Sequence, residues 1–584
     1  MSLPLSTLLA LFMLLPGLAW QVWFGGGRLG TSYDWTSWLA EVIGISLVIP
    51  ALVGLGTFLF GWRFSGGDIL GLYGLVGLLV IFAIFRRNAL SRLQFLVPDS
   101  RALIPNILPL LAFILLLAFR FYQARNLALP AWVDSVHHTL VVRLFVETGG
   151  IPPTMEPYIS VPFYYHFGFH LNAALFAFFT RLPPEQAVLI FGQMLNAFVS
   201  LAVYRLGMAL WKDWRKALVA LLLTGFVFQM PGYYLTWGRY TLLTGLGILI
   251  LGMAAAVDVF RTPSDREASA RLALYVAGVL VTHYFAAGLL ALFFGVLILE
   301  QMVFGELRLW NFWKSPAFQK LFFAGLAGFL LASPWVWQVW SAGNQYFGVN
   351  VVAPTESADE VYFSGYLGYL WMLLGPYRSH VLLMLGGVVL FLCGWRDRTR
   401  PFALWTVAFV LLSLPWGIHL EPFRPDHGTI VAFFPAGMLL ADAFITPLEA
   451  ERRWFRGLAW GALTAAMISL LIWGVREMRD ITNPSTILAD QSEVNALHWI
   501  ETNTPTEARF FINATFWQSG SYRGVDGGWW IAPLTGRKTI IPPALYLFGS
   551  REKILEVNAL GERVAQFTGC SDDFRTFLRE NALS

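Results

Sequence analysis

The sequence predicts a mainly α, polytopic transmembrane helical bundle followed by a small mixed α/β domain. Three observations carry that reading. Of 584 residues, 57% are hydrophobic and 13% charged, against roughly 25% charged in an average soluble domain. The apolar residues fall in runs of about twenty, the length a helix needs to cross about 30 Å of hydrocarbon. Beyond residue 475 the composition turns abruptly polar and turn-rich.

Candidate spans cover 4–20, 38–60, 68–85, 102–121, 186–210, 217–231, 239–259, 272–303, 317–338, 378–394, 401–416, 428–446 and 457–475, giving about 11–14 crossings. Met1 to Trp20 lacks a basic n-region, so it reads as a first span and not as a cleaved signal peptide. Basic residues in short loops are retained on the cytoplasmic side. The loops holding Arg86, Arg87, Arg92 and Arg101, then Lys212, Arg215 and Lys216, then Arg396, Arg398 and Arg400, then Arg452, Arg453 and Arg456, are therefore expected inside.

Each crossing switches sides, so parity tests the assignment. With 86–101 inside, 122–185 lies outside. If the apolar piece Tyr165 to Arg181 also crossed, the Lys212 to Lys216 loop would fall outside, so that piece is expected to lie on or dip into the outer surface. Parity also places Gly232 to Arg239 outside and Arg261 to Arg271 inside. The run 272–303 is too long for one upright span, and Thr282 and His283 interrupt it. It reads as a short helical hairpin with His283 at an outer turn. Three segments result: N-terminal transmembrane helices over 1–101, a transmembrane module over 102–475 whose first outer loop is 122–185, and an extracytoplasmic domain over 476–584. In that last domain, Ser492 to Thr502 and Glu552 to Gln566 are expected as helices, Arg509 to Ala514 and Lys538 to Ile541 as strands, and Gly520 to Gly528 as a loop. The chain stops soon after Phe574, where a closing strand is expected, so the domain reads as truncated.

The net charge of +4 sits in short loops and not on one face, which points to the lipid bilayer and away from nucleic acid as a partner. Cys393 and Cys570 imply no disulfide framework. The chemistry-bearing residues concentrate in the first outer loop, which holds Asp134, His137, His138, His166 and His170, including four of the nine histidines. On helices, Asp134, His137 and His138 are spaced i, i+3, i+4 and His166 and His170 i, i+4, so each set is expected on one face. A carboxylate beside imidazoles can act as a general base, or Asp134, His137 and His138 can supply ligands to a metal. Interfacial residues that cap helices and meet headgroups fit the same spacing.

The stretch Trp132-Val-Asp134-Ser-Val-His137-His138, then Gly149-Gly-Ile-Pro-Pro153, then Tyr158 to His170 as YISVPFYYHFGFH, resembles the first outer loop of the GT-C superfamily of membrane glycosyltransferases. The layout of 102–475 is similar as well. The resemblance implies a polyprenyl-phosphate-linked sugar as donor, a glycan, lipid or protein as acceptor, and a loop acid, here Asp134, as general base or acceptor-orienting group. Oligosaccharyltransferases add a carboxylate in the second outer loop and a divalent metal, Mg or Mn. That loop here, Gly232-Tyr-Tyr-Leu-Thr-Trp-Gly-Arg239-Tyr240, has no acid. The departure puts the metal in doubt and favours the branch that includes protein mannosyltransferases and aminoarabinose transferases.

A phosphate donor needs cations, preferably a guanidinium that pairs two oxygens. Arg239, Arg378 and Arg424 are expected at the outer face, Arg424 within His419-Leu-Glu421-Pro-Phe-Arg424-Pro-Asp426-His427. Arginines that snorkel to headgroups are the plain alternative. Glu421, Asp426, His427 and His283 complete the candidate binding set; Glu356, Asp359 and Glu360 read as a solvated acidic loop. In the tail, Asn495 to Pro505 and Gly527 to Arg537 resemble extracytoplasmic domains of an uncharacterised bacterial GT-C-like branch, which implies the inner (plasma) membrane. Trp517, Trp529 and Trp530 can stack on sugars there or pack the domain; packing is the simpler expectation. A lipid or polysaccharide flippase and a non-catalytic envelope scaffold remain as readings of a different class. Neither an inverted repeat nor mid-span charges favour the flippase.

Overall fold

In hydrocarbon a backbone finds no water to bond, so apolar runs close their hydrogen bonds internally as helices. The computed structural model, which describes residues 10–24, 34–86, 103–305, 311–346, 386–388, 398–413, 428, 430–446, 453–517, 520–581 and 583, is built this way. The helices are α1 (Leu15–Phe24, after a tight turn Leu11–Leu14), α2 (Trp35–Leu59), α3 (Gly66–Arg86), α4 (Leu103–Gln123), α5 (Trp132–Thr148), α6 (Gly168–Thr180), α7 (Pro184–Trp211), α8 (Trp214–Leu222), α9 (Tyr240–Arg261), α10 (Arg266–Thr282), α11 (Tyr284–Phe304), α12 (Pro316–Tyr346), α13 (Arg400–Leu412), α14 (Phe433–Ile445) and α15 (Arg453–Met478). Eight of the described helices are long and apolar enough to cross a bilayer, and the chain is an integral multi-pass membrane protein. Within the expected span 4–20, residues 4–9 lie outside the described residues and the rest is helical, the helix continuing to Phe24; α12 runs past the expected 338. The expected span 378–394 lies mostly outside the described residues.

The run around His283 divides as its polar interruption predicts, with His283 in extended conformation between α10 and α11. A Cβ on Gly245 would meet His283 and Ala286, and one on Gly252 would meet Leu290 and Tyr275. Seven residues down α9, the chain has therefore stepped back along α10 and forward along α11, so the two form an antiparallel hairpin. Its arms are full helices and not the short ones expected, because α10 begins at Arg266, outside the apolar run.

The piece Tyr165 to Arg181 folds as α6 but is not a lipid-facing surface helix. Ten of its residues are buried, among them His170, Asn172 and Phe176. Asn172 Nδ2 donates to Leu47 O on α2 at 2.9 Å. His170 at one end touches His138 of α5, while Phe178 at the other lies 3.1 Å from where a Gly66 Cβ would be, at the start of α3. Both ends thus sit at the same end of the bundle, so α6 crosses that end without spanning it.

At the opposite end the charges of the short loops are drawn together and paired. Glu41 of α2 accepts from Arg205 Nε of α7 at 2.6 Å and also pairs with Arg271 of α10. Asp258 of α9 pairs with both arginines, and Glu267 lies 3.5 Å from Arg271. Lys216 bonds Asp442 at 2.9 Å, and Arg400 bonds Glu300 at 2.6 Å. Burying a charge in hydrocarbon is tolerated only with a partner, so these pairs fix the axial register of the helices that carry them.

The C-terminal domain starts with α16 (Gln491–Asn503), whose capping box joins Asp490 and Glu493 as the spacing D-x-x-E predicts. Strands β1 (Arg509–Phe510) and β4 (Lys538–Thr539) pair in parallel; β2 (Ala514–Trp517) and β3 (Ser521–Gly524) pair antiparallel. The segment expected as a loop, Gly520 to Gly528, therefore contributes a strand, because the hairpin partner Phe516–Tyr522 is aromatic and packs across it. Helices α17 (Arg551–Ala565) and α18 (Asp572–Glu580) complete the domain. It sits on α5: Val133, Val136, Leu140 and Leu144 share one apolar core with Trp529, Trp530, Ile540, Ile541 and Tyr546. Arg143 Nη1 donates to Leu534 O at 2.6 Å, and Tyr164 Oη to Phe548 O at 2.8 Å.

Replacing Glu41 by Ala leaves two buried guanidiniums without their shared acceptor. We expect a loss of about 3–5 kcal/mol, the usual consequence of breaking a buried pair, read as a lowered denaturation midpoint in detergent. A melting curve that matches wild type would show that Asp258 alone suffices for both arginines.

Candidate functional site

The first turn of α5 carries Asp134. Ala131 enters in extended conformation (φ −76°, ψ 151°), and the helix N-terminus favours a negative charge there. Trp132 has φ 70°, a conformation that a bulky side chain adopts only under tertiary constraint. The constraint is visible: the Arg523 guanidinium of the C-terminal domain lies 5.3 Å above the Trp132 ring.

Facing Asp134 is the loop Gly232 to Arg239. Tyr234 Oη donates to Ile430 O at 3.0 Å, and Thr236 accepts from Asn483 N at 3.1 Å, which anchor it. Gly238 (φ +64°) lets the chain turn against α5; a Cβ there would stand 2.1 Å from Ser135 Oγ. The next residue, Arg239, thereby comes to face Asp134, with Nε 3.8 Å from Oδ2 and each side chain 35% exposed. They form an ion pair, partly open to solvent and too far apart for a hydrogen bond. Arg239 Nε has no hydrogen-bond partner among the described residues. Burial pushes the Asp134 carboxyl above its ordinary range, and Arg239 partly offsets this.

Deeper in lie four imidazoles. His138 Nδ1 and His170 Nε2 are 2.9 Å apart, so one nitrogen donates and the other accepts. The rings of His166 and His283 are 4.9 Å apart. Burial pushes His170 down to about 3 and holds His138 and His166 well below the usual range, which favours the neutral form of these three rings. Tyr165 joins the cluster to the Asp134–Arg239 pair: its ring centroid lies 3.8 Å from that of His166, the rings tilted by 34°, and burial with the Asp134 charge pushes its phenol up.

His137 departs from expectation. Successive helical residues point about 100° apart, and His137 turns away from Asp134 and His138 into the C-terminal domain. Its Nε2 accepts from Ala544 N at 3.2 Å and its ring meets Trp529 edge-on. Burial, then the Arg523 charge, pushes it down to about 3. The set Asp134, His137 and His138 therefore does not converge as metal ligands, and among the described residues no three His, Cys, Asp or Glu do. Trp529 and Trp530 are buried, which settles them as packing residues.

The structure thus brings together Asp134 and Arg239, and beside them His138, His166, His170 and His283. Arg378, Glu421, Arg424, Asp426 and His427 lie outside the described residues, as do Glu356, Asp359 and Glu360. Sequence reasoning missed Gly238 and Ser135 as the contact that places Arg239, and Tyr165 as the bridge. The one legible signal was the glycine immediately before an arginine in Trp237-Gly238-Arg239.

No family model matches the sequence, and a search of the curated proteins returns no match. Solved structures do resemble it. The Archaeoglobus fulgidus oligosaccharyltransferase tethered with an acceptor peptide containing the NVT sequon superposes with TM-score 0.51 at 11% identity, covering 81% of this chain and 68% of that one. The same enzyme with Zn and sulfate gives 0.47 at 11% identity over 76% and 67%. Its complex with an inhibitory peptide and a dolichol-phosphate gives 0.47 at 12% over 74% and 64%. At these identities the likeness is one of fold: the chain is a multi-pass membrane bundle of GT-C-like fold with a C-terminal domain. It does not single out a branch.

Gly238→Ala forces either the loop or Ser135 to move. We expect a loss of about 1–3 kcal/mol from the clash and the left-handed backbone, with faster amide exchange in 232–240 and at the start of α5. Unchanged exchange there would mean that the loop is held by Tyr234 and Thr236 alone.

Proposed function

We propose that the protein is a membrane glycosyltransferase that moves a sugar from a polyprenyl-phosphate-linked donor to an acceptor at the outer face of the membrane. The observation that supports it most is the pairing of Asp134, a base with a raised pKa at a helix N-terminus, with Arg239, whose Nε faces it without a hydrogen-bond partner among the described residues. Both are partly exposed, in a GT-C-like fold. Asp134 accepts the proton of the acceptor as the acceptor atom bonds the anomeric carbon. The bond from that carbon to the phosphate oxygen breaks, and the lipid phosphate leaves with its negative charge against Arg239. Beside the pair, the neutral His138, His166 and His170 and the phenol of Tyr165 are groups that can bond sugar hydroxyls without binding competing anions. By the loop charges, the pair faces outward and the C-terminal domain is extracytoplasmic.

A purified sample in nanodiscs, supplied with radiolabelled polyprenyl-phosphate sugars, is the assay. Asp134→Asn is expected to slow transfer about 10²–10⁴-fold, the usual contribution of a general base. Transfer at the wild-type rate would remove Asp134 from that role. The rate should fall as the pH drops through the raised Asp134 pKa, because only the carboxylate accepts a proton. Arg239→Gln removes the charge that restrains that pKa, so the acid limb should move to higher pH. A limb that stays in place would mean that another group titrates.

A further inference from the structure

Away from the Asp134–Arg239 pair, α2 and α3 follow each other in sequence yet stand apart. Between them lies a cavity of about 410 Å³, walled by α1, α2, α3, the end of α5 and one face of α6. That lies within the roughly 300–1,000 Å³ of ordinary ligand pockets. Its lining is almost wholly apolar: Trp20 and Trp23 of α1, Val53 of α2, Val76 of α3 and Ala174 of α6 among them. Two packed helices leave no such space; this one is held open by aromatic side chains, with Trp23 stacked 6.4 Å from Phe82.

Two arginines stand next to lining residues at one end of the cavity. Phe64 and Phe178 line it there, and the Arg181 guanidinium lies 5.1 Å over the Phe178 ring. Arg63 precedes Phe64 in the short connection between α2 and α3 and is exposed, as Arg181 is. Neither has an ion-pair partner among the described residues, and the nearby Asp68 carboxylate is taken up by Ser65 N at 2.8 Å and Ser65 Oγ at 2.7 Å. This end also holds Gly149, whose carbonyl accepts from Phe64 N at 2.8 Å, at the end of α5. It is the same end of the bundle as the histidine cluster, where the loop-charge rule does not call for arginine.

We propose that the cavity is a binding site for one anionic glycerophospholipid, with an acyl chain in the slot and the phosphate between Arg63 and Arg181. Hydrocarbon is the only filling that an apolar slot open to a bilayer accepts, and two unpaired guanidiniums at its mouth select a phosphate over a neutral headgroup. The site is independent of the pair at Asp134 and needs no glycosyl transfer. Its helices α1 to α3 would be held to the remainder of the bundle through the lipid.

Native mass spectrometry of the full chain, released from mild detergent after expression in phosphatidylglycerol-containing membranes, tests this. The wild-type protein should retain one phosphatidylglycerol per chain. Ala174→Phe, which fills the slot, should abolish the adduct; Val76→Phe from the opposite wall should do the same, so that a folding defect in one variant does not decide the result. Arg63→Glu with Arg181→Glu should lower occupancy at least about tenfold, as expected when charge-assisted bonds to a phosphate are lost. A wild-type protein with no retained lipid, or the same occupancy in all variants, overturns the proposal. A retained polyprenyl phosphate, or a zwitterionic phospholipid retained equally, overturns the assignment of the occupant.

Discussion

Glu41, buried between Arg205 and Arg271, is the interaction on which the arrangement of the bundle depends. Without water, a lone carboxylate or guanidinium at that depth costs several kcal/mol, so α2, α7 and α10 have one axial register in which all three charges are satisfied. Asp258 extends the same constraint to α9. The consequence appears at the other end. Helix α9 starts at Arg239's neighbour, α10 ends beside His283, and α2 holds α6 through Asn172. The charge pairs thus set the heights at which Asp134, Arg239 and the histidines meet, although none of them touches that site. Apolar packing alone specifies such heights weakly, because one turn of Leu and Val fits a neighbour about as well as the next.

The Asp134–Arg239 pair is placed by a second constraint, close approach. Gly238 has no side chain to keep the loop off α5, and the loop therefore rests on Ser135 with Arg239 directed at Asp134. The C-terminal domain presses from the other side through Arg523 on Trp132 and Ala544 on His137. Asp134 is consequently fixed between two elements distant in sequence. Its raised pKa follows from that enclosure, tempered by the one cation that the loop delivers.

Much of this was legible beforehand. Spans could be placed because lipid imposes length and apolarity, the break at His283 because a polar pair interrupts an apolar run, and α6 because parity allowed no further crossing. Asp134 and Arg239 could be named because an acid and a base near a membrane surface need a reason. The failures have physical causes too. Spacing i, i+3, i+4 confines Asp134, His137 and His138 to an arc, but the partner that each meets is decided by the neighbouring elements, and the C-terminal domain claimed His137. Burial of α6 depends on aromatic contacts such as Phe176 with Phe191 that periodicity does not reveal. The pairing of Glu41 with residues far along the chain is a tertiary fact with no local signature.

The proposed transfer requires a lipid-linked phosphate to bind against Arg239 and to present its sugar to Asp134. Electron cryomicroscopy of the protein in nanodiscs, with a polyprenyl-phosphate sugar added, tests this most directly. Phosphate density is expected within ion-pair distance of Arg239, with the sugar between it and Asp134. Donor density elsewhere in the bundle, with the Asp134–Arg239 pair unchanged from the donor-free protein, would contradict the proposed transfer.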